Sequence, residues 1–221
     1  MIKIIHGDNI VQSRKRLTEI LEKARKEGTE IVYLDGTKVT ITEVRSALES
    51  GSLFGKNRLV VIENLKEKPE ILTYLKKGKF DNDLILWEQK EIKREIIPGV
   101  ELEIFKLPPL IFSFLESIRP GSSKESLRLL SELKKGEEPE MIFYMLVRQF
   151  RFLILARDLG DSGLSDLSLW QQKKFLKQAE NFSLEQLLEI YRKLLEIDFK
   201  QKTSSDPYSL SSRLDLLTAE I

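Results

Sequence analysis

The chain has 221 residues, with Lys+Arg 36 against Asp+Glu 35 and a formal net charge of +1. Bulk charge therefore gives no case for a nucleic-acid or membrane-surface protein, and any DNA contact has to come from local clustering. No cysteine is present, which excludes disulfides and thiolate metal sites.

The opening, MIKIIHGDN, turns polar too quickly for a secretory signal, and no apolar run approaches the length of a membrane span. The sequence thus predicts a soluble, cytoplasmic protein with no membrane partner. Residues 2–5 read as a buried strand that ends at His6, Gly7 and Asp8. A helix follows over 9–26, with Ile10, Leu17, Ile20, Leu21 and Ala24 on one side and Gly28 past its end. Residues 31–34 are strand-like and stop at the turn signal Asp35-Gly36. Thr40 and Glu43 make a capping box for a short helix through Val44, Ala47 and Leu48. RLVVI, residues 58–62, is the most strand-like run. A helix from Pro69 to about Lys77 and strands at 84–87 and 102–105 complete a layered α/β domain, 1–107, with a mainly parallel sheet.

Such a sheet binds ligands at the carboxyl ends of its strands, so the loop after the first strand is the place for a phosphate cradle. It reads HGDNIVQSRKRL: Gly7 stands alone and Lys15 is followed by Arg16, so the GxxxxGK[ST] order is missing. Glu63-Asn64 after the third strand offers no convincing magnesium ligand. His6 is the only histidine, so a histidine-rich metal site cannot form, and a strand-end histidine is more often a turn or core residue than a base. The paired acids Asp81/Asp83 and Glu101/Glu103 read as solvated. No catalytic constellation, cofactor site or metal site emerges.

Lys106-Leu107-Pro108-Pro109 reads as a linker into an all-α region, 108–221. Helices are predicted over 111–118 and 125–134, with a turn between them at Pro120 to Lys124. The next helix has Pro139 in its first turn and Gly160 beyond its end. It is apolar on most sides, with Arg148, Gln149, Arg151 and Arg157 its clear polar positions. Ser183 and Gln186 form a capping box for a helix carrying Leu184, Leu187, Leu188, Tyr191, Leu194 and Leu195. One face of it must be buried against partner helices.

The wording of this half, with Gln149 and Arg151, Lys173 and Lys174, Phe182 and Ser183, and Asp198 with Lys200 and Lys202, resembles the C-terminal collar domain of the delta subunit of the bacterial DNA polymerase III clamp loader. SLFGKNRLVVIENL, residues 52–65, resembles that family's clamp-binding segment in its N-terminal domain. The resemblance implies an ATPase-like parallel-sheet domain without a P-loop, followed by a collar-like helical bundle. It implies a noncatalytic subunit of the DNA-directed DNA polymerase holoenzyme that binds and opens a sliding clamp through Leu53 and Phe54. It also implies hetero-oligomeric contacts with other loader subunits through the collar, for which Arg148, Gln149, Arg151 and Tyr191 are the candidates. Weak contact with duplex or primed DNA, not specific for sequence, is expected from Lys76, Lys77, Lys79, Lys90, Lys93 and Arg94. The middle helical lid usual in the family has no room here.

Two large apolar side chains between Gly51, Ser52, Gly55 and Lys56 suit an exposed anchor; they also suit a core beneath the sheet. Two other readings stay open. One is a nucleotide- or small-molecule-binding α/β enzyme with a helical appendage, the other a helical adaptor that self-associates.

Overall fold

The computed structural model describes residues 1–51, 57–65, 68–78, 80–92, 97 and 99–221. The chain divides into two compact units, Met1–Leu107 and Pro108–Ile221.

In the first unit the elements are β1 (Ile2–His6), α1 (Ile10–Lys26), β2 (Glu30–Asp35), α2 (Ile41–Glu49), β3 (Arg58–Glu63), α3 (Pro69–Lys76), β4 (Asp83–Glu88) and β5 (Glu101–Ile104). The five strands lie in the order β2-β3-β4-β1-β5, and every pairing is parallel. From β1 the chain crosses β4 and β3 to reach β2, then steps back through β3 and β4. Right-handed crossovers in opposite directions put helices on opposite faces. The core divides accordingly. Ile5, Leu59, Val61, Ile85 and Trp87 pack with Leu17, Leu21 and Ala24 of α1. Ile4, Val60, Ile62, Leu84 and Leu86 pack with Val44 and Leu48 of α2 and with Ile71 and Leu75 of α3. β3 alternates between the two cores, which is why RLVVI is apolar at consecutive positions. Each such side chain, when fully buried, stabilises the fold by roughly 1.5–3 kcal/mol.

Local signals set the helix boundaries. The Asn9 side chain accepts a hydrogen bond from the Gln12 N–H (3.2 Å) at the start of α1. The capping box of Thr40 and Glu43 opens α2 with both reciprocal bonds made. The edge strand β5 brings a correction. Glu101 is exposed as expected, but Glu103, also expected to be solvated, is largely covered, and both bond the Lys3 ammonium, at 2.9 and 2.6 Å. Glu103 also accepts from Arg16 at 2.8 and 3.0 Å. The register sets Lys3 opposite Glu101, a pairing between residues about a hundred positions apart that spacing along the chain cannot show.

The second unit holds α4 (Pro109–Ser117), α5 (Ser123–Leu133), α6 (Pro139–Leu159), a 3₁₀ turn (Gly160–Leu164), α7 (Leu169–Ala179), α8 (Leu184–Lys202) and α9 (Leu210–Glu220). α6 is central and packs on α4, α7, α8 and α9. It buries Met141, Ile142, Met145, Leu146, Phe150 and Leu153, and Phe150 meets Phe182 edge-on at 6.2 Å. The capping box of Ser183 and Gln186 starts α8. α9 is an element the periodicity did not announce. Its serines favour helix weakly, and it is held by burial of Leu214 and Leu217 and by the Lys134–Asp215 ion pair at 2.6 Å. Among the described residues no helix is long and apolar enough to cross a membrane.

Candidate functional site

At the carboxyl edge of the sheet, where a nucleotide phosphate would meet the start of α1, the chain uses its own donors. Gly7 has φ +131°, and a Cβ there would fall 2.0 Å from the Phe105 carbonyl oxygen. The strand end at Phe105 lies across the turn. Its N–H donates to His6 O (2.8 Å) and its carbonyl accepts from the Asn9 N–H (3.0 Å). The Gln12 and Ser13 N–H groups are taken by the Asn9 side chain and carbonyl. His6 is buried, and its Nδ1 accepts from the Ile92 N–H at 3.0 Å, which fixes the neutral ring with its proton on Nε2. Burial holds its pKa below the ordinary histidine value. On α1, Arg14 forks onto Glu63 at 2.5 and 2.6 Å and lies 3.6 Å over the Trp87 ring. Burial pushes the Glu88 carboxyl up, and that group accepts from the Leu65 N–H at 2.7 Å. Among the described residues, backbone donors at the start of α1 are therefore met internally, while His6 Nε2 and Asn9 Nδ2 are buried without a partner.

The amino edge of the sheet carries the frame of the segment singled out by sequence. Leu53 and Phe54 themselves lie outside the described residues. α2 ends at Glu49, and Ser50 turns the chain out with ψ 133°. The carbonyls of that last turn converge on two buried side chains. Asn82 Nδ2 donates toward Ala47 O (3.1 Å), Leu48 O (3.1 Å) and Ser50 O (2.8 Å). Arg58 Nη1 donates to Ser50 O at 3.1 Å, and its Nη2 donates to both oxygens of Glu30 at 3.1 and 3.2 Å. The Tyr74 hydroxyl donates to Glu49 at 2.8 Å. Sequence reasoning missed both Arg58 and Asn82. Arg58 opens β3 and Asn82 stands just before β4, places where a polar residue ordinarily marks only a solvated strand end.

Of the expected phosphate contacts, Lys76 and Lys77 lie exposed at the end of α3 and Lys90 lies exposed after β4. Lys79, Lys93 and Arg94 fall outside the described residues.

In the second unit the four sequence candidates separate. Gln149 is buried, and its Nε2 donates to Gln178 Oε1 at 2.6 Å. Gln178 Nε2 in turn donates to the Leu115 and Ile118 carbonyls at 2.8 and 3.2 Å, closing the end of α4. The Gln149 side chain thus joins α6 to α7, and through Gln178 to α4, and it also lines the cavity beside Arg148. Arg148 lines a cavity of about 380 Å³ with Phe112, Met145, Trp170 and Phe175, and its guanidinium lies 5.3 Å over Phe152. Tyr191 lines a separate groove of about 310 Å³ with Tyr144, Val147 and Leu195. Arg151 is exposed.

Residues 110–218, which include the buried Gln149–Gln178 link and nearly all of the α6-centred bundle, match the family model described as DNA polymerase III delta subunit, C-terminal domain. The match takes in nearly the whole second unit. Residues 110–218 are a delta-subunit-like C-terminal domain. A solved structure, the Bacillus subtilis DNA clamp loader delta protein (YqeN), is similar at 14% identity over 99% of this chain and 94% of that one, with a TM-score of 0.46. No curated protein sequence matches. In this delta-subunit-like domain the residues that carried the resemblance have two kinds of surroundings. Gln149 and Phe182 are buried in the bundle and Ser183 caps α8, whereas Arg151 and Lys202 face solvent.

Proposed function

We propose that the chain is a noncatalytic clamp-loader subunit that binds a sliding clamp during replication. The observation that carries this reading is the family match over residues 110–218. Leu53 and Phe54 are the anchor, an aliphatic and an aromatic side chain of the kind that fills an interface pocket. Binding the opened or strained form of the clamp better than the closed form shifts the clamp toward opening. The missing phosphate-loop motif, together with backbone donors at the start of α1 that already bond within the chain, supports a subunit that leaves nucleotide hydrolysis to its partners. The α6–α8 surface with Arg148, Arg151 and Tyr191 joins neighbouring loader subunits. Lys76, Lys77, Lys79, Lys90, Lys93 and Arg94 touch DNA phosphates weakly, with an affinity that falls as salt rises.

The test is binding of the purified chain to the sliding clamp of its own source, beside the Leu53→Ala, Phe54→Ala double variant. The double variant should stay folded and lose about 2–4 kcal/mol of binding free energy. A parent chain that fails to bind the clamp overturns the reading.

A further inference from the structure

We propose that Arg58 and Asn82 are positioning residues for the clamp-binding segment, fixing the direction in which the chain leaves α2 toward Leu53 and Phe54. This rests on the clamp-binding reading above. Helix carbonyls in a last turn have no partner within the helix and are usually met by water or by a glycine turn. At α2 they are met instead by two side chains from beyond the segment. Asn82 bridges the carbonyls of Ala47, Leu48 and Ser50, and the Arg58 guanidinium reaches back to Ser50 O at 3.1 Å. Arg58 begins β3 on the far side of that segment, so one side chain ties its two flanks together. The far flank is held a second time, by the Glu30 N–H donating to Asn57 O at 3.0 Å.

Stability alone is a poor account of this arrangement. Arg58 and Asn82 are each only 8% exposed, and the Arg58 Nε is buried without a partner. A buried cation costs desolvation that a well-packed apolar side chain of similar volume does not incur. What the pair supplies is a fixed end to α2 and a fixed start to β3. Fixing both flanks before the clamp arrives lowers the ordering cost that would otherwise be deducted from its affinity.

The experiment compares clamp affinity and thermal melting for the parent, Asn82→Ala, Arg58→Lys and Leu17→Ala. Leu17 is a buried residue of α1 on the opposite face of the sheet and serves as a stability-matched control. Asn82→Ala should weaken clamp binding about tenfold, the scale of a lost buried hydrogen-bond set. Arg58→Lys, whose single ammonium cannot serve both Ser50 and Glu30, should give a smaller loss. Leu17→Ala should melt earlier and bind as the parent does. Faster amide exchange at Leu48 to Gly51 in the Asn82 and Arg58 variants, but not in Leu17→Ala, is the expected signature. If Asn82→Ala does not fold, Arg58→Lys decides the matter by the same two readouts. A binding parent whose Asn82 and Arg58 variants bind equally well overturns the positioning role and leaves the clamp reading intact, as does a matching loss in Leu17→Ala. A parent that does not bind overturns both.

Discussion

Glu103 sits on an edge strand, yet its surroundings are those of an internal ion pair. Arg16, followed by Lys3, holds its carboxyl down at about 2, against burial, which pushes it up. Because the folded-state pKa lies below the ordinary value of 4.5, the folded protein stays ionised where the unfolded chain takes up a proton. The stabilisation is complete above pH 4.5 and is lost as pH falls from there toward about 2. Glu103→Gln should therefore destabilise the protein at pH 7 by about 2 kcal/mol, since it leaves the buried Lys3 with only the more exposed Glu101. Urea unfolding of parent and variant across that window should show their difference shrinking with acidity; parallel curves would show that Glu103 is not the group responsible. His6 has the opposite chemistry and the same direction of effect. Kept neutral by burial, with Glu91 pulling its pKa up and Lys106 pulling it down, it disfavours folding once the unfolded chain begins to protonate it. Neither environment is written in the residue. A Glu-x-Glu pattern on a strand and a histidine at a strand end look ordinary until β5 and Ile92 are brought beside β1.

At the scale of elements, the capped and periodic segments were the legible ones. Thr40 with Glu43 and Ser183 with Gln186 predicted helix starts that the structure contains, because a capping box is a local bond pattern within four residues. Ser183→Ala should lower stability by about 1 kcal/mol without altering the helical spectrum, read as a shift in the denaturation midpoint. It removes the acceptor for the Gln186 N–H at 3.1 Å, while the Gln186 side chain still reaches the residue 183 N–H. α9 was illegible for a complementary reason: its stability comes from Lys134 on α5 and from the core that Leu214 and Leu217 enter, not from its own serine-rich run. The Gln149–Gln178 link falls in the same class. Two glutamines twenty-nine positions apart meet because α6 and α7 pack side by side.

For the whole molecule, the second unit carries the family match and has its own buried core, including Phe114, Leu130, Ile142, Phe150, Leu187 and Leu214. Residues 108–221 expressed alone should fold to a helical bundle that unfolds cooperatively; a helical but non-cooperative melt would show that its packing depends on the first unit. The sequence by itself determined the layered α/β unit and the helical one, the missing phosphate loop, and the likeness to delta subunits. Strand and helix periods, caps and motif order are properties of neighbouring residues. Tertiary structure alone decided the β2-β3-β4-β1-β5 order, the charge cluster on Lys3 and the inward turn of Gln149. It also brought Arg58 and Asn82 to the end of α2. Each of these is a contact between residues remote along the chain, and such contacts follow from how whole elements pack, which no local pattern encodes.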